Sequence, residues 1–340
     1  MKVLIIGGTG LISTAISREF LANGVDLTLF NRGVSDARFP AGAKTVTGNR
    51  HEVEAFEAQM AELGSFDCVI DMICFTPAQA ESTIRAFRGR TGQLIFCSTV
   101  DVYQKPTAHY PITEATPRIG GNGYGRNKIV CEDLFLQAHQ RGDFAATIIR
   151  PAMTYGEGGK LVNLYGWGTY QIDRMRRGKP LIVHGDGSAL WVSCHIDDAA
   201  HAFVQAAGNP VSYGQGYHVT GEEWMTWNQY YQTIAQAANA PEPTLVHIPT
   251  DLLAALMPNR SSPLVTNFQG NTIFDNSAAQ RDLDFRYTIP FAEGARRTID
   301  WLDANGGVQS EVYDAIDDRI LQAWDALSAN MVSQLPDLDA

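Results

Sequence analysis

Lys2-Val3-Leu4-Ile5-Ile6-Gly7-Gly8-Thr9-Gly10-Leu11-Ile12-Ser13 is a short apolar run that breaks into glycines and resumes as a helical stretch ending near Asn23-Gly24. Strand, glycine turn and helix in that order are the context a dinucleotide phosphate fingerprint requires. Gly7 permits the tight turn. Gly10 lets the backbone approach a pyrophosphate, which the helix N-terminus attracts. The third glycine position is Ser13, small enough for close helix–strand packing.

Outward from this turn, apolar strand-like runs at 26–30, 43–47, 66–70, 93–97 and 144–149 alternate with helical stretches at 52–63, 77–87 and 124–141. Alternation of this kind predicts an α/β fold with a doubly wound parallel sheet, whose ligands bind at the carboxyl ends of the strands. Gly10, Asn31, Asn49, Asp71 and Thr99 all fall at such ends. Asn31 stands where an acid would hold the adenosine ribose hydroxyls. Arg32, next to it, can pair with a 2′-phosphate, which favours NADP over NAD as cofactor.

The chain has 340 residues, 45% hydrophobic and 19% charged, with a net charge of −11, an ordinary globular composition. The negative balance argues against a nucleic-acid partner. No apolar run approaches the length of a membrane span, and Met1 to Ile6 is too short for a signal peptide. The five cysteines, Cys68, Cys74, Cys97, Cys131 and Cys194, are scattered and form no Cys-x-x-Cys, which fits a reduced, cytoplasmic protein. No His-x-x-x-His or clustered Cys/His pattern predicts a metal.

After Arg150-Pro151 the alternation loosens. The expected division is a dinucleotide-binding domain at 1–156, completed by about 187–220. A smaller α/β substrate domain occupies 157–186 and 221–302, and a helical extension 303–340. In the substrate domain Tyr165, Trp167 and Tyr170 are candidates for an aromatic pocket. Asp197-Asp198 reads as a helix cap. In the extension Val312, Ile316, Ile320, Trp324, Leu327 and Met331 recur at helical spacing, a docking face for a core or a partner.

Tyr124-Gly125-Arg126-Asn127-Lys128 opens the helix at 124–141. Residues i and i+4 lie one above the other, and an ammonium beside a phenol lowers the phenol pKa. With these residues placed, the chain resembles the extended short-chain dehydrogenase/reductase family, its epimerase/dehydratase branch. Ser98-Thr99-Val100-Asp101-Val102-Tyr103 is similar to the family's Ser-Ser-x-x-x-Tyr stretch, and Thr99 falls 25 residues before Tyr124. Arg150-Pro151 through Tyr155-Gly156, Gly185-Asp186-Gly187, His195-Ile196-Asp197-Asp198 and Asp275-x-Ser277 followed by Arg281-Asp282-Leu283 match later segments, so the resemblance spans about 1–302.

The resemblance implies a Rossmann domain, Tyr124 as general acid/base, Lys128 holding the nicotinamide ribose, and Thr99 bonding the reacting oxygen. It implies cofactor contacts from Gly7, Thr9, Gly10, Leu11, Ile12, Asn31, Arg32, Asn49, Arg50, Asp71, Met72, Lys128, Arg150 and Pro151. Substrate contacts would come from Val100, Asp101, Tyr155, Trp191 and His195. A homodimer is implied too, with Leu134, Phe135 and Ala138 as its candidate face. Trp191 stands where nucleotide-sugar epimerases carry a diphosphate-gripping arginine, and Ala278 replaces the lysine of the Asp-x-Ser-Lys segment. The expected activity is therefore an NAD(P)-dependent epimerase, dehydratase or dehydrogenase step on a sugar-like small molecule without a nucleoside diphosphate. A carbonyl reductase is the first alternative. Asn31-Arg32-Gly33 with Gly48-Asn49-Arg50 also resembles a branch that includes chloroplast stem-loop RNA-binding proteins, which makes a non-catalytic RNA-associated protein the second.

Overall fold

The computed structural model describes residues 1–34, 41–309 and 312–335. Its elements begin β1 (Lys2–Ile6), α1 (Leu11–Ala22), β2 (Asp26–Asn31), β3 (Lys44–Thr47), α2 (Val53–Glu62), β4 (Phe66–Asp71), α3 (Pro77–Phe87), β5 (Thr91–Cys97), α4 (Gly123–Gln140), β6 (Ala145–Pro151) and β7 (Met153–Tyr155). They continue with β8 (Leu161–Asn163), β9 (Gly166–Gly168), α5 (Tyr170–Arg176), β10 (Leu181–His184), β11 (Leu190–Trp191), β12 (Ser193–His195), α6 (Ile196–Ala206), β13 (Gly216–Val219) and β14 (Met225–Thr226). The chain ends with α7 (Trp227–Ala237), β15 (Leu245–Ile248), α8 (Thr250–Leu256), α9 (Ser277–Leu283), α10 (Phe291–Ala304) and α11 (Val312–Gln334). Two compact units result. The first is Met1–Gly156 with Val192–Trp224 and Thr272–Pro290; the second is Glu157–Trp191 with Met225–Asn271 and Phe291–Ala340.

The first unit holds a seven-stranded sheet in the order β13-β6-β5-β4-β1-β2-β3, with every pair parallel. The alternation of β1 explains the layers. Val3 and Ile5 pack with Ile16 and Phe20 of α1 and Phe203 of α6. Leu4 and Ile6 pack with Phe56 and Met60 of α2 and Phe87 of α3. Strand order reverses between β1 and β4, which opens a crevice at their carboxyl ends. Ile6 is level with Phe30 and Asp71, and Asp71 with Phe96, so Gly7, Asn31, Asp71 and Ser98 leave the sheet at one edge.

Phe135 and Ala138 of α4 are buried against Leu94, Phe96 and Ile148, with Leu134 packed on the same cluster. The face expected to meet a second subunit therefore covers the chain's own sheet. All five cysteines are buried free thiols. Asp198 does not cap α6 as expected. Its carboxylate accepts from the Thr288 and Ile289 amides, both at 3.0 Å, and so pins the Thr272–Pro290 segment. His195 caps α6 instead, its Nδ1 accepting from the Asp197 amide at 3.2 Å.

The second unit is built round aromatic side chains. Trp227 is fully buried, with Trp191 at 4.8 Å, Phe268 at 5.0 Å and His184 at 5.0 Å between ring centroids. In α11, Leu321 is buried, but Leu327 (53% exposed) and Met331 (62% exposed) are not, so the apolar periodicity does not mark one buried face. What anchors the helix is polar. Buried Asp317 accepts from the hydroxyls of Tyr165 and of Tyr170 on α5, beside Arg174. Burial pushes its carboxyl up to about 6.

This predicts a pH dependence. The native value lies above the roughly 3.9 of an unfolded aspartate, so the native state binds the proton more tightly. Docking of α11 then gains on the order of 2 kcal/mol as pH falls from about 7 to about 4, and levels off below that. The neighbours do not cancel it. Tyr165, Tyr170 and Tyr231 stay protonated, and Arg174 stays charged. Burial opposes ionisation of Asp314, but bonds from Arg177, Arg174 and Lys179 hold it at about 2, so its contribution is lost only below this window. Hydrogen exchange along α11, corrected for intrinsic rate, should be slower at pH 5 than at pH 8, and Asp317→Asn should abolish the difference.

Candidate active site

Gly7 adopts φ +89°, and a Cβ there would lie 2.6 Å from Cγ2 of Ile73, so the turn admits glycine alone. Ser13 closes the turn from inside by donating to the carbonyls of Gly7 (2.8 Å) and Gly10 (3.1 Å). Gly10 caps α1 without a side-chain bond, which leaves the helix's first amides for an anion. Thr9, Leu11 and Ile12 are partly exposed round this turn. At the end of β2, Asn31 is buried. Its Oδ1 accepts from the Gly33 amide at 2.8 Å, while its Nδ2 has no hydrogen-bond partner. Arg32 is exposed, and Asn49 is partly exposed at the neighbouring strand end. A glycine cradle, open helix amides and a buried amide lacking an acceptor fit a dinucleotide.

Three expected cofactor contacts are corrected. Arg50 and Asp71 pair with each other at 2.7 Å, with side chains 2% and 0% exposed. Arg50 also donates to the Gln79 carbonyl and Thr83 Oγ1, each at 3.0 Å. Arg150 is buried too, bonding Glu132 through Nε (2.9 Å) and Nη2 (2.7 Å) and Tyr103 through Nη1 (2.9 Å). The charges of these three side chains are met by partners within the protein, whereas the equally buried Lys128 makes one carbonyl bond and keeps further donors. Asp71, Met72, Arg150 and Pro151 can shape the crevice through their backbone.

The expected trio does come together. Asn122 caps α4 by accepting from the Gly125 amide at 2.8 Å, which sets Tyr124 in the first turn. Thr99 follows β5, its Oγ1 accepting from the Asp101 amide at 3.2 Å and sharing a hydrogen bond with the Tyr124 hydroxyl. Lys128 is buried. Its ammonium donates to the Cys97 carbonyl at 2.7 Å and lies 4.5 Å from the Phe96 ring centroid and 5.7 Å from that of Tyr124. Gly125 lets the first turn of α4 lie against the Asp101 backbone, since a Cβ there would lie 2.1 Å from the Asp101 carbonyl oxygen.

The electrostatics depart from the expectation. Burial of the hydroxyl end, with Cys97 and Asp101 nearby, raises the Tyr124 pKa above its ordinary value, and only the Thr99 bond opposes this. The Lys128 ammonium sits over the ring rather than beside the oxygen, so the i, i+4 spacing does not by itself tune the phenol downward.

Of the expected substrate residues, Asp101 keeps a 23% exposed carboxylate, 3.7 Å from the buried ammonium of Lys105. Val100 is buried. Tyr155 and His195 are buried edge-to-face at 5.5 Å, His195 also capping α6, and Trp191 is buried in the aromatic core of the second unit. Two neighbours escaped the sequence reading. Phe75 is 43% exposed, with its ring 6.5 Å from that of Tyr124 and 5.0 Å from the Lys128 ammonium. Glu132 lies one turn beyond Lys128 on α4, and that i+4 spacing was visible in the sequence.

A family model for the NAD dependent epimerase/dehydratase family matches residues 3–220. The chain belongs to that family, an NAD-binding enzyme family of the extended short-chain dehydrogenase/reductase group. It is 27% identical over 241 residues to the 2′-dehydrokanamycin reductase of Streptomyces kanamyceticus, covering 71% of this chain and 68% of the reductase. It is also 27% identical over 261 residues to the chloroplast stem-loop binding protein of 41 kDa b of Arabidopsis thaliana, covering 72% of this chain and 65% of that protein, just under two thirds of its length. Among solved structures, the UDP-glucose 4-epimerase of Thermus thermophilus, in complex with NAD, superposes with a TM-score of 0.73 at 19% identity, over 89% of this chain and 99% of that one. That likeness carries the fold.

Proposed function

We propose that this protein is an NADP(H)-dependent reductase of a carbonyl group on a sugar-like small molecule that carries no nucleoside diphosphate. The observation that carries it is the Tyr124 hydroxyl, hydrogen-bonded to Thr99 just beyond the carboxyl end of β5, with the Lys128 ammonium on the same helix face. Reduction needs a proton given to the substrate oxygen as the carbon accepts a hydride, and a phenol holds its proton at neutral pH. Oxidation would need the phenolate. When bound, the reduced nicotinamide supplies the hydride. The Thr99 and Tyr124 hydroxyls hold the carbonyl oxygen between them, and Tyr124 donates the proton to it. Lys128, fixed by the Cys97 carbonyl, has two further donors for the nicotinamide ribose. The relative acting on 2′-dehydrokanamycin is itself a reductase, which supports this direction. Trp191 in place of a diphosphate-gripping arginine supports a substrate without a nucleotide.

The experiment is oxidation of NADPH by the purified protein over a panel of keto sugars. Rates should hold from neutral pH up to about pH 10, the ordinary phenol value that Tyr124 exceeds; a rate rising with pH would overturn the assignment of Tyr124 as acid. The cofactor choice rests on Arg32. Arg32→Ala should weaken NADPH binding about tenfold or more and leave NADH binding alone, as loss of one charge-assisted phosphate contact requires. Tighter binding of NADH than NADPH by the wild type would remove the NADP preference. The stem-loop-binding relative keeps an RNA-associated role as the second reading; RNA retention with a steep salt dependence and no nicotinamide binding would favour it. A homodimer is what the family resemblance carries, and a monomer by light scattering would remove it; a reduced, cytoplasmic location rests on the scattered free cysteines.

A further inference from the structure

Glu132 is a fully buried carboxylate that gathers four parts of the first unit. It stands on α4, one turn after Lys128 and two after Tyr124. Its Oε1 accepts from Ser98 Oγ at 2.5 Å and from Arg150 Nε at 2.9 Å. Its Oε2 accepts from Arg150 Nη2 and from Arg118 Nη1, both at 2.7 Å. Ser98 is the residue before Thr99 and follows Cys97, whose carbonyl holds Lys128. One side chain thus ties the helix bearing Tyr124 and Lys128 to the end of β5 bearing Thr99, to β6 through Arg150, and to the loop before α4 through Arg118. Burial opposes its ionisation, but Arg150, Ser98 and Arg118 hold its carboxyl below the usual range, so it is charged at neutral pH. Arg150 extends the tie through the Tyr103 hydroxyl (2.9 Å) to His218 Nε2 (2.8 Å from Tyr103).

Buried charges are costly to assemble, and an apolar cluster of the same volume would hold a helix to a sheet as well. What the carboxylate adds is direction, since each of its bonds fixes a distance and an angle. We propose that Glu132 is a positioning residue for the nicotinamide half of the site. Acting through Ser98 and Arg150, it sets the register of α4 against β5, so that Lys128 and Tyr124 meet the ribose and the reacting oxygen together. It touches neither cofactor nor substrate. The adenosine half lies round Gly10, Asn31 and Arg32 at the ends of β1 and β2, which Glu132 does not contact.

The inference rests on the reading of Lys128 and Tyr124 given above, and two titrations separate them. The first measures binding of NADPH and NADH to the wild type; if neither binds, the functional reading fails before Glu132 is at issue. The second compares the tighter of these cofactors with its adenosine fragment, adenosine 2′,5′-bisphosphate for NADPH or ADP for NADH, on the wild type, Glu132→Gln and Ser98→Ala. Both variants should weaken the whole dinucleotide about tenfold, the loss of one charge-assisted hydrogen bond, while the fragment stays within about twofold. A role in folding alone would weaken both ligands alike or neither, and either result overturns the proposal. Ser98→Ala leaves both arginines paired with Glu132, so it decides the matter if Glu132→Gln does not fold.

Discussion

Tyr124→Phe should lower the rate of carbonyl reduction by roughly 10²–10⁴-fold, the contribution of one positioned proton donor. It should leave NADPH affinity and thermal unfolding nearly unchanged. The phenylalanine keeps the ring that packs near Phe75 and under the Lys128 ammonium, and loses only the oxygen shared with Thr99. Thr99→Val should cost less, since it removes a bond to the reacting oxygen and not the proton. Steady-state rates across pH, with affinity measured separately, check each part. A variant that turns over at the wild-type rate would show that the proton comes from elsewhere.

Arg50→Met should cost about 3–5 kcal/mol of unfolding free energy, the penalty for leaving one member of a buried pair alone. Asp71, fully buried, would keep the Thr83 hydroxyl (2.9 Å) and the Ile73 amide (3.2 Å) but no countercharge. Replacing both partners by apolar residues, Arg50→Met with Asp71→Leu, should recover most of the loss, because the cost lies in the unpaired charge and not in the absence of the pair. Urea unfolding measures both. A single variant within about 1 kcal/mol of the wild type would mean that water or a rearranged side chain reaches Asp71.

The fold was legible because its signals are local. Apolar strands alternating with helices, Pro77 opening α3 and the glycine turn after β1 all appear within a few residues, and the parallel sheet follows from them. The Tyr124–Lys128 pair and Thr99 were legible because helical spacing and a strand end place them without reference to distant contacts. The direction of a side chain leaving a strand end was not. Asp71 and Arg150 sit at the predicted edge, yet they point inward, to partners 21 and 18 residues away on other elements. His195 read as part of a binding segment, and its role is to cap α6. The apolar period of α11 marked a helix and could not say that Asp317 would be buried beside Leu321 while Leu327 and Met331 stay exposed. Glu132 is the instructive omission. Its spacing from Lys128 was in plain view, but its meaning depends on two arginines at residues 118 and 150 that only the tertiary fold brings to it.

The most direct test of the account is isotopic. NADPH deuterated at the transferable position of its nicotinamide ring is supplied to the protein with a keto-sugar panel, and the products are read by mass spectrometry. A single deuterium at the new carbinol carbon, with its yield collapsing in Tyr124→Phe, is the predicted result. Product formed without deuterium, or with equal yield from the phenylalanine variant, would contradict it.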